Sequence, residues 1–317
     1  MLDFEPVTLD KKGMMERCFF AWGEGSCQHS FVSSFCLAGK YGDQVCERDG
    51  FLYILRSKLC GDGERVYLFP QGDTSDREAA RRAIGEVLND AHEYGATVRF
   101  ETLTRPAKDL TLELFPGAFT ATENRDYAEY VYSFDNLGNL SGPGLGRRRQ
   151  WVHHFERIYK DRYQTLTIEA RHIPIVREFQ ENWLQERLRL NDSIKDIIKF
   201  ARQLQQENIA IQKELDHFFE LGLSGVVLFL DGKIVAYAIG APLSGNCFDI
   251  LVGKGDRSIP NIYCVLIRDF AQFCCQGYSW INLEEDVGIE GIRAMKIHYK
   301  PDFMIEKFVV REKRAHE

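Results

Sequence analysis

The sequence predicts an α+β protein of two similarly ordered halves, each a mixed β-sheet flanked by helices. Three observations predict it. In the C-terminal half, Asp231-Gly232 lies between two β-prone runs, 225–230 and 233–240. That step signals a hairpin, because a type I′ turn needs positive φ at both central positions. A third strand, a helix, a strand, a helix and a closing strand then follow. Finally, the N-terminal half offers a series of the same order without evident sequence identity, as expected of a duplicated α/β unit.

In the first half, 44–47 and 51–56 pair as strands and 65–69 follows. A helix spans 75–94, with Ser75 and Glu78 in a capping-box pattern. A strand at 97–103, a short helix at 106–115 and extended segments at 118–122 and 127–133 complete it. Gly142-Pro143-Gly144-Leu145-Gly146 is a loop on composition. Helix-period apolar residues come next at Trp151, Phe155, Ile158 and Tyr159, then a strand at 163–168. A second amphipathic helix carries Val176, Phe179, Trp183 and Leu184. A long helical region carries Ile194, Ile197, Ile198, Ala201, Leu204, Ile211, Leu215 and Phe218, with a break placed around 206–208.

Beyond the second hairpin, 246–252 is the third strand. A helix from Pro260 to Cys275 puts Ile262, Val265 or Leu266, Phe270 and Phe273 on one side. A strand at 278–283, a helix at 288–299 stopped by Pro301, and a last strand at 303–310 end the chain. The domains are therefore expected at 1–140 and 141–317, the second carrying the inserted helices.

The 317 residues are 44% hydrophobic and 27% charged, ample apolar material for a core, and the length suits two domains or one large one. No segment approaches the roughly 20 apolar residues that span a bilayer. The start, Met1-Leu2-Asp3-Phe4-Glu5, is acidic where a signal peptide would be basic. The expected location is the cytoplasm, with no membrane association. A net charge of −7 disfavours a broad phosphate-binding surface. Nine scattered cysteines form no C-x-x-C pair. Cys274 and Cys275 read as core residues. Cys27 and His29 lack a second ligand pair, so they read as a loop cysteine and a surface histidine, and no metal is expected.

Three stretches carry a family resemblance. One runs Asn282-Leu283-Glu284-Glu285-Asp286-Val287-Gly288 and on through Arg293, Lys296, His298, Tyr299 and Pro301. A second is Asp126-Tyr127-Ala128-Glu129-Tyr130-Val131-Tyr132 with Leu137, Leu140 and Gly142. A third is Glu220-Leu221-Gly222-Leu223-Ser224-Gly225 with Asp231-Gly232-Lys233. Together they resemble the C-terminal catalytic domain of phosphatidylglycerol lysyltransferase, which is similar to the Fem peptidyltransferases. The resemblance covers most of the chain and is densest from Glu123 onward. It implies a tandem duplication of the acyl-CoA N-acyltransferase (GNAT)-like mixed sheet, in which the third strand splays from its neighbour and the acyl donor enters the gap. It also implies an aminoacyl-tRNA donor. The family's lysine-rich loop and Lys-Arg-Asn triplet are altered: the loop is Pro143-Gly144-Leu145-Gly146, and the triplet positions hold Arg148, Arg149 and Gln150.

Acyl transfer needs a held donor, a base and oxyanion stabilisation. Glu284, Glu285 and Asp286 follow the penultimate strand, where clustered carboxylates suit either a base or the capping of the next helix. Asn282 suits either a substrate carbonyl or its own turn. Tyr299 and His298 suit either proton donation or packing. Arg293, Lys296 and Lys300 share a helix face that suits either an anion or solvent. Arg147, Arg148 and Arg149 follow a Gly-rich loop and open a helix, which suits either an anion or an exposed charge run. The expected set is thus Asn282, Glu284, Glu285 and Tyr299 around the reacting carbonyl, and Arg148, Arg149, Arg293 and Lys296 on the donor. No resident cofactor is expected.

The expected reaction moves an aminoacyl group from aminoacyl-tRNA to an amine or hydroxyl acceptor. Two alternatives stand beside it. One is a coenzyme A-dependent N-acetyltransferase, whose usual loop is replaced by Gly253-Lys254-Gly255-Asp256-Arg257-Ser258. The other is a non-catalytic ligand-binding protein on the same fold. The acceptor, the transferred group and the oligomeric state are not encoded legibly.

Overall fold

In the computed structural model, which describes residues 1–189 and 197–314, a hairpin turns at each of two Asp-Gly steps. Asp49 and Gly50 have φ of 51° and 78°, and Asp231 and Gly232 have 52° and 75°. That left-handed pair is what a type I′ turn requires and what Asp and Gly tolerate.

Around the first hairpin the elements run β1 (Glu5–Pro6), α1 (Lys12–Trp22), α2 (Phe31–Cys36), α3 (Ala38–Tyr41), β2 (Asp43–Arg48), β3 (Phe51–Arg56), β4 (Glu64–Tyr67), α4 (Arg77–Glu93), β5 (Thr97–Leu103), α5 (Arg105–Leu114) and β6 (Phe119–Glu123). Then come β7 (Glu129–Ser133), α6 (Phe134–Gly138), α7 (Gly146–Tyr159), β8 (Tyr163–Thr167), α8 (Ile173–Arg189) and α9 (Ile197–Asp216). The second hairpin and its sequel are β9 (Ser224–Leu230), β10 (Lys233–Pro242), β11 (Cys247–Gly255), α10 (Ile262–Cys274), β12 (Trp280–Glu285), α11 (Glu290–His298), β13 (Phe303–Ile305) and β14 (Phe308–Glu312).

Two seven-stranded mixed sheets result, ordered β1-β2-β3-β4-β5-β14-β6 and β13-β7-β12-β11-β10-β9-β8. Each contains three successive antiparallel strands and then a parallel neighbour reached through a helix, α4 in one and α10 in the other. This is the tandem GNAT-like arrangement, an α+β duplication.

The chain divides into two units. The first holds Met1–Tyr130, Glu285–Arg293 and the segment from Met304 onward; the second holds Val131–Glu284 and Ala294–Phe303. The division is therefore not a single cut at 140. The expected last strand at 303–310 is in fact two strands in different sheets, β13 and β14.

Within the first unit α4 lays Ala80, Ala83, Ile84, Val87 and Ala91 into a core with Tyr67, Val98 and Phe100, the spacing of one helix face. Its N-cap is Asp76, whose carboxylate accepts from the Glu78 and Ala79 amides at 3.0 Å each. Ser75 instead bonds Asp73, so the expected cap is displaced by one residue. α5 begins as expected beside Pro106, capped by Thr104. In the second unit α10 buries Ile262, Val265, Leu266 and Phe270, whereas Phe273 is 49% exposed and off that side. α9 runs unbroken through 206–208. Ile194 lies outside the described residues.

Candidate functional site: an opened sheet and a buried ionic cluster

β11 pairs with β10 from Phe248 to Gly255 but with β12 only at Cys247, Phe248 and Asp249, opposite Trp280, Ile281 and Asn282. Beyond that pair the two parallel strands part. β11 also carries an extra residue there, since Ile239 faces Val252 while Gly240 faces Ile250. Such a bulge bends its strand and re-aims its side chains. A Cβ on Gly240 would lie 2.0 Å from the Asp249 carbonyl oxygen, so only glycine permits this close approach.

Asn282, at the parting, is fully buried. Its side-chain oxygen accepts from the Glu284 amide at 2.7 Å and fixes the turn in which Glu284 adopts φ of 58°. Lys296 is also buried, with its ammonium bonded to the Leu283 carbonyl, whereas Lys300 of the same expected basic face is exposed. Tyr299 is 1% exposed, and burial, then the Cys264 thiol beside it, hold its hydroxyl protonated by raising its pKa well above the usual value. Arg148 stacks 4.6 Å from the Tyr299 ring centroid and 4.6 Å from that of Trp151, and donates to the Cys264 sulfur at 3.3 Å. Arg149 bonds the Leu140 carbonyl.

The first unit holds a denser polar cluster. Lys307 and Glu129 have fully buried side chains and lie 2.6 Å apart. Glu129 also accepts from the Ser26 hydroxyl at 2.8 Å and the Cys27 amide at 3.0 Å, and Lys307 donates to the Ser26 oxygen at 2.5 Å. A buried charge is tolerated only when paired and hydrogen-bonded in this way. The pair pins the loop between α1 and α2. From that loop Gln28 donates to one oxygen of Glu285 at 3.2 Å and the Cys27 thiol donates to the other at 3.2 Å. Arg56, itself buried, donates to the Gln28 oxygen at 2.7 Å. Glu285 is a half-buried carboxylate held on both oxygens. His29 is buried, not on the surface: burial, then the charge of Lys307, lower its pKa from 6.5 to about 4. The neutral ring donates from Nδ1 to the Gly23 carbonyl and faces Gln71 through Nε2.

Arg293 meets both oxygens of Asp286 at 2.9 and 2.7 Å and Asp126 at 2.7 Å. Its guanidinium is thus bound to carboxylates, where the sequence pointed to a donor anion. Burial acts to raise the Asp286 pKa, but Arg293, Tyr130 and the Gly288 amide bring it down to about 2. Asp286 is a structural anion, while Glu285 faces Gln28 and Cys27.

The model of the family described as phosphatidylglycerol lysyltransferase, C-terminal, matches residues 21–311. The chain belongs to that family. No curated protein matches it. Among solved structures, a conserved Bacteroides thetaiotaomicron protein of unknown function is 25% identical, with a TM-score of 0.88 over 99% of this chain and 100% of the other. The C-terminal domain of a protein described as a lysylphosphatidylglycerol synthetase from Agrobacterium fabrum is 14% identical, with a TM-score of 0.64 over 97% and 92%. The L-PGS of Bacillus licheniformis is 15% identical, with a TM-score of 0.63 over 96% and 92%. The chain thus has the fold of lysyltransferase C-terminal domains.

In this family member, sequence reasoning missed Glu129, Lys307, Ser26, Gln28 and Arg56. The available signal was weak: one acid opening an aromatic strand, Glu129-Tyr130-Val131-Tyr132, and one base just before an apolar strand, Lys307-Phe308-Val309-Val310. Among the described residues, no three His, Cys, Asp or Glu side chains converge as a metal site, and no helix is long and apolar enough to cross a membrane.

Proposed function

We propose that this protein is an aminoacyltransferase that moves an aminoacyl group from aminoacyl-tRNA to an amine or hydroxyl acceptor. The observation that carries the reading is the parting of β11 from β12 in a member of a lysyltransferase family. A splayed strand pair exposes backbone and side chains at the carboxyl ends of parallel strands, where ligands of α/β sheets gather. In the reaction the acceptor attacks the ester carbonyl, the ester C–O bond breaks, and the acceptor's proton is carried to the departing tRNA oxygen. Glu285 is our choice for that proton, because both its oxygens are oriented by neighbours and it remains half-exposed. Asn282 and Glu284 serve at the reacting carbonyl, and Arg148, Arg149 and Lys296 are the residues we assign to the donor.

Three contacts favour tRNA over coenzyme A. The end of β11 and the loop after it use their amides internally: Gly255 to the Tyr263 hydroxyl, Asp256 to the Val235 carbonyl, and Ser258 to the Asp256 carboxylate. A pyrophosphate cradle needs such amides pointing outward. The test is release of radiolabelled amino acids from a mixed aminoacyl-tRNA pool in the presence of small amines and glycerol, with labelled acetyl-coenzyme A in a parallel arm. Label passing from tRNA to a new product supports the reading. Transfer from acetyl-coenzyme A alone overturns it, and tRNA binding without product favours a ligand-binding role.

A further inference from the structure

Inside the second unit, α8, α9, β10, β11 and α10 enclose a polar cluster that the transferase reading does not use. Lys254 of β11 places its ammonium 2.7 Å from Glu207 and 4.3 Å from the centroid of the Trp183 ring. A carboxylate on one side and an indole face on the other is how proteins recognise ammonium groups. Seven residues along α9 from Glu207, and so on the same face, lies Glu214. It is 6% exposed, and its Oε2 is buried with no hydrogen-bond partner among the described residues. Tyr237, whose hydroxyl donates to Gln180 at 2.7 Å, and Tyr263 complete the surroundings.

Lys254 thus bonds Glu207, and the Glu214 Oε2 is left without a bond of its own. A buried carboxyl group without a partner is costly. Burial, then the neighbouring Glu207 charge, push Glu214 up to about 8, against the opposing pull of Lys254. A metal ion is a poor match, because no three His, Cys, Asp or Glu side chains converge among the described residues. A primary ammonium is the chemical match, since it would supply the donors that Glu214 Oε2 lacks and repeat the contact Lys254 already makes.

We propose that Glu214, Glu207 and Trp183 form a binding site for a small primary ammonium ligand, with the Lys254 side chain as its internal counterpart. The site goes beyond the transfer reaction and does not depend on it.

The experiment is a thermal-shift and calorimetric titration of the full chain with n-butylammonium chloride, with sodium chloride at equal ionic strength as control. The expected result is saturable binding and a rise in Tm in the wild type. Glu214→Gln, which keeps shape and hydrogen bonding, should bind roughly 10-fold or more weakly, the scale of one charge-assisted hydrogen bond. Lys254→Met should lose stability and recover it as butylammonium fills the vacated position. If that variant fails to fold, the wild type and Glu214→Gln still decide the matter. Responses no larger than those to sodium chloride, or equal affinity in wild type and Glu214→Gln, overturn the proposal. An absent amine response leaves the tRNA transfer assay untouched. An amine response in a chain that transfers nothing would retain this site and remove the transferase reading.

Discussion

Replacing Lys307 by methionine tests whether the buried pair with Glu129 organises the first unit. Methionine fills the same volume but leaves Glu129, whose side chain is fully buried, with the Ser26 hydroxyl and Cys27 amide and without its cation. Breaking such a pair from one side costs about 3–5 kcal/mol. At about 2–4 °C per kcal/mol for a unit of this size, the fall in Tm is roughly 6–20 °C. The penalty also depends on pH, because a buried carboxylate that has lost its cation is relieved by taking a proton. The double variant Lys307→Met/Glu129→Leu removes both charges and should be less destabilised than Lys307→Met alone. The assay is thermal unfolding of the wild type, both single variants and the double variant at several pH values. A Lys307→Met variant within about 1 kcal/mol of wild type at every pH, or strict additivity in the double variant, would refute the reasoning.

Four further outcomes follow from the same geometry. Glu285→Gln should lower transfer by roughly 10²–10⁴-fold while leaving Tm within about 2 °C, read as single-turnover loss of label from aminoacyl-tRNA. His29 is neutral when folded, with a pKa of about 4 against 6.5 ordinarily. As pH falls below 6.5 the unfolded chain takes the proton first, so about 3 kcal/mol of stability is lost by pH about 4; His29→Gln should flatten that limb in acid-unfolding curves. Asp286, lowered to about 2 from 3.8, has the opposite origin but the same sign. Its contribution is complete above 3.8 and disappears as pH falls through about 2, and Arg293→Ala should shrink it in the same curves. Asp76→Ala should cost about 1 kcal/mol, whereas Ser75→Ala should cost less, in denaturant titrations.

Local rules explain what was legible in the sequence. The Asp231-Gly232 turn, the α4 face and the strand–helix order each depend on residues within a few positions, so composition and periodicity exposed them. The capping error was one residue wide because Ser75 and Asp76 are both good N-caps, and the choice was settled by Asp73, which bonds Ser75. The splitting of 303–310 was invisible because β13 and β14 join different sheets, a matter of distant partners.

The site divides the same way. The acidic run after β12 stood out, but its members are sorted by residues far away: Glu285 by Gln28 and Cys27, Asp286 by Arg293 and Tyr130. Arg293 looked available because Asp126 is remote in sequence. Lys307 and Glu129 gave only the weak signal of charges at the edges of apolar strands, and His29 gave none, since its ring is held by Gln71 and Gly23.

The central claim is that the parting of β11 from β12 is where the aminoacyl end of the donor binds. A crystal structure of the chain with a non-hydrolysable 3′-aminoacylamino adenosine measures this most directly. The account predicts ligand density between the two strands beyond Asp249 and Asn282, with the acyl carbonyl beside the Asn282–Glu284 turn. Well-defined ligand density elsewhere, with apolar side chains filling that space, would contradict it.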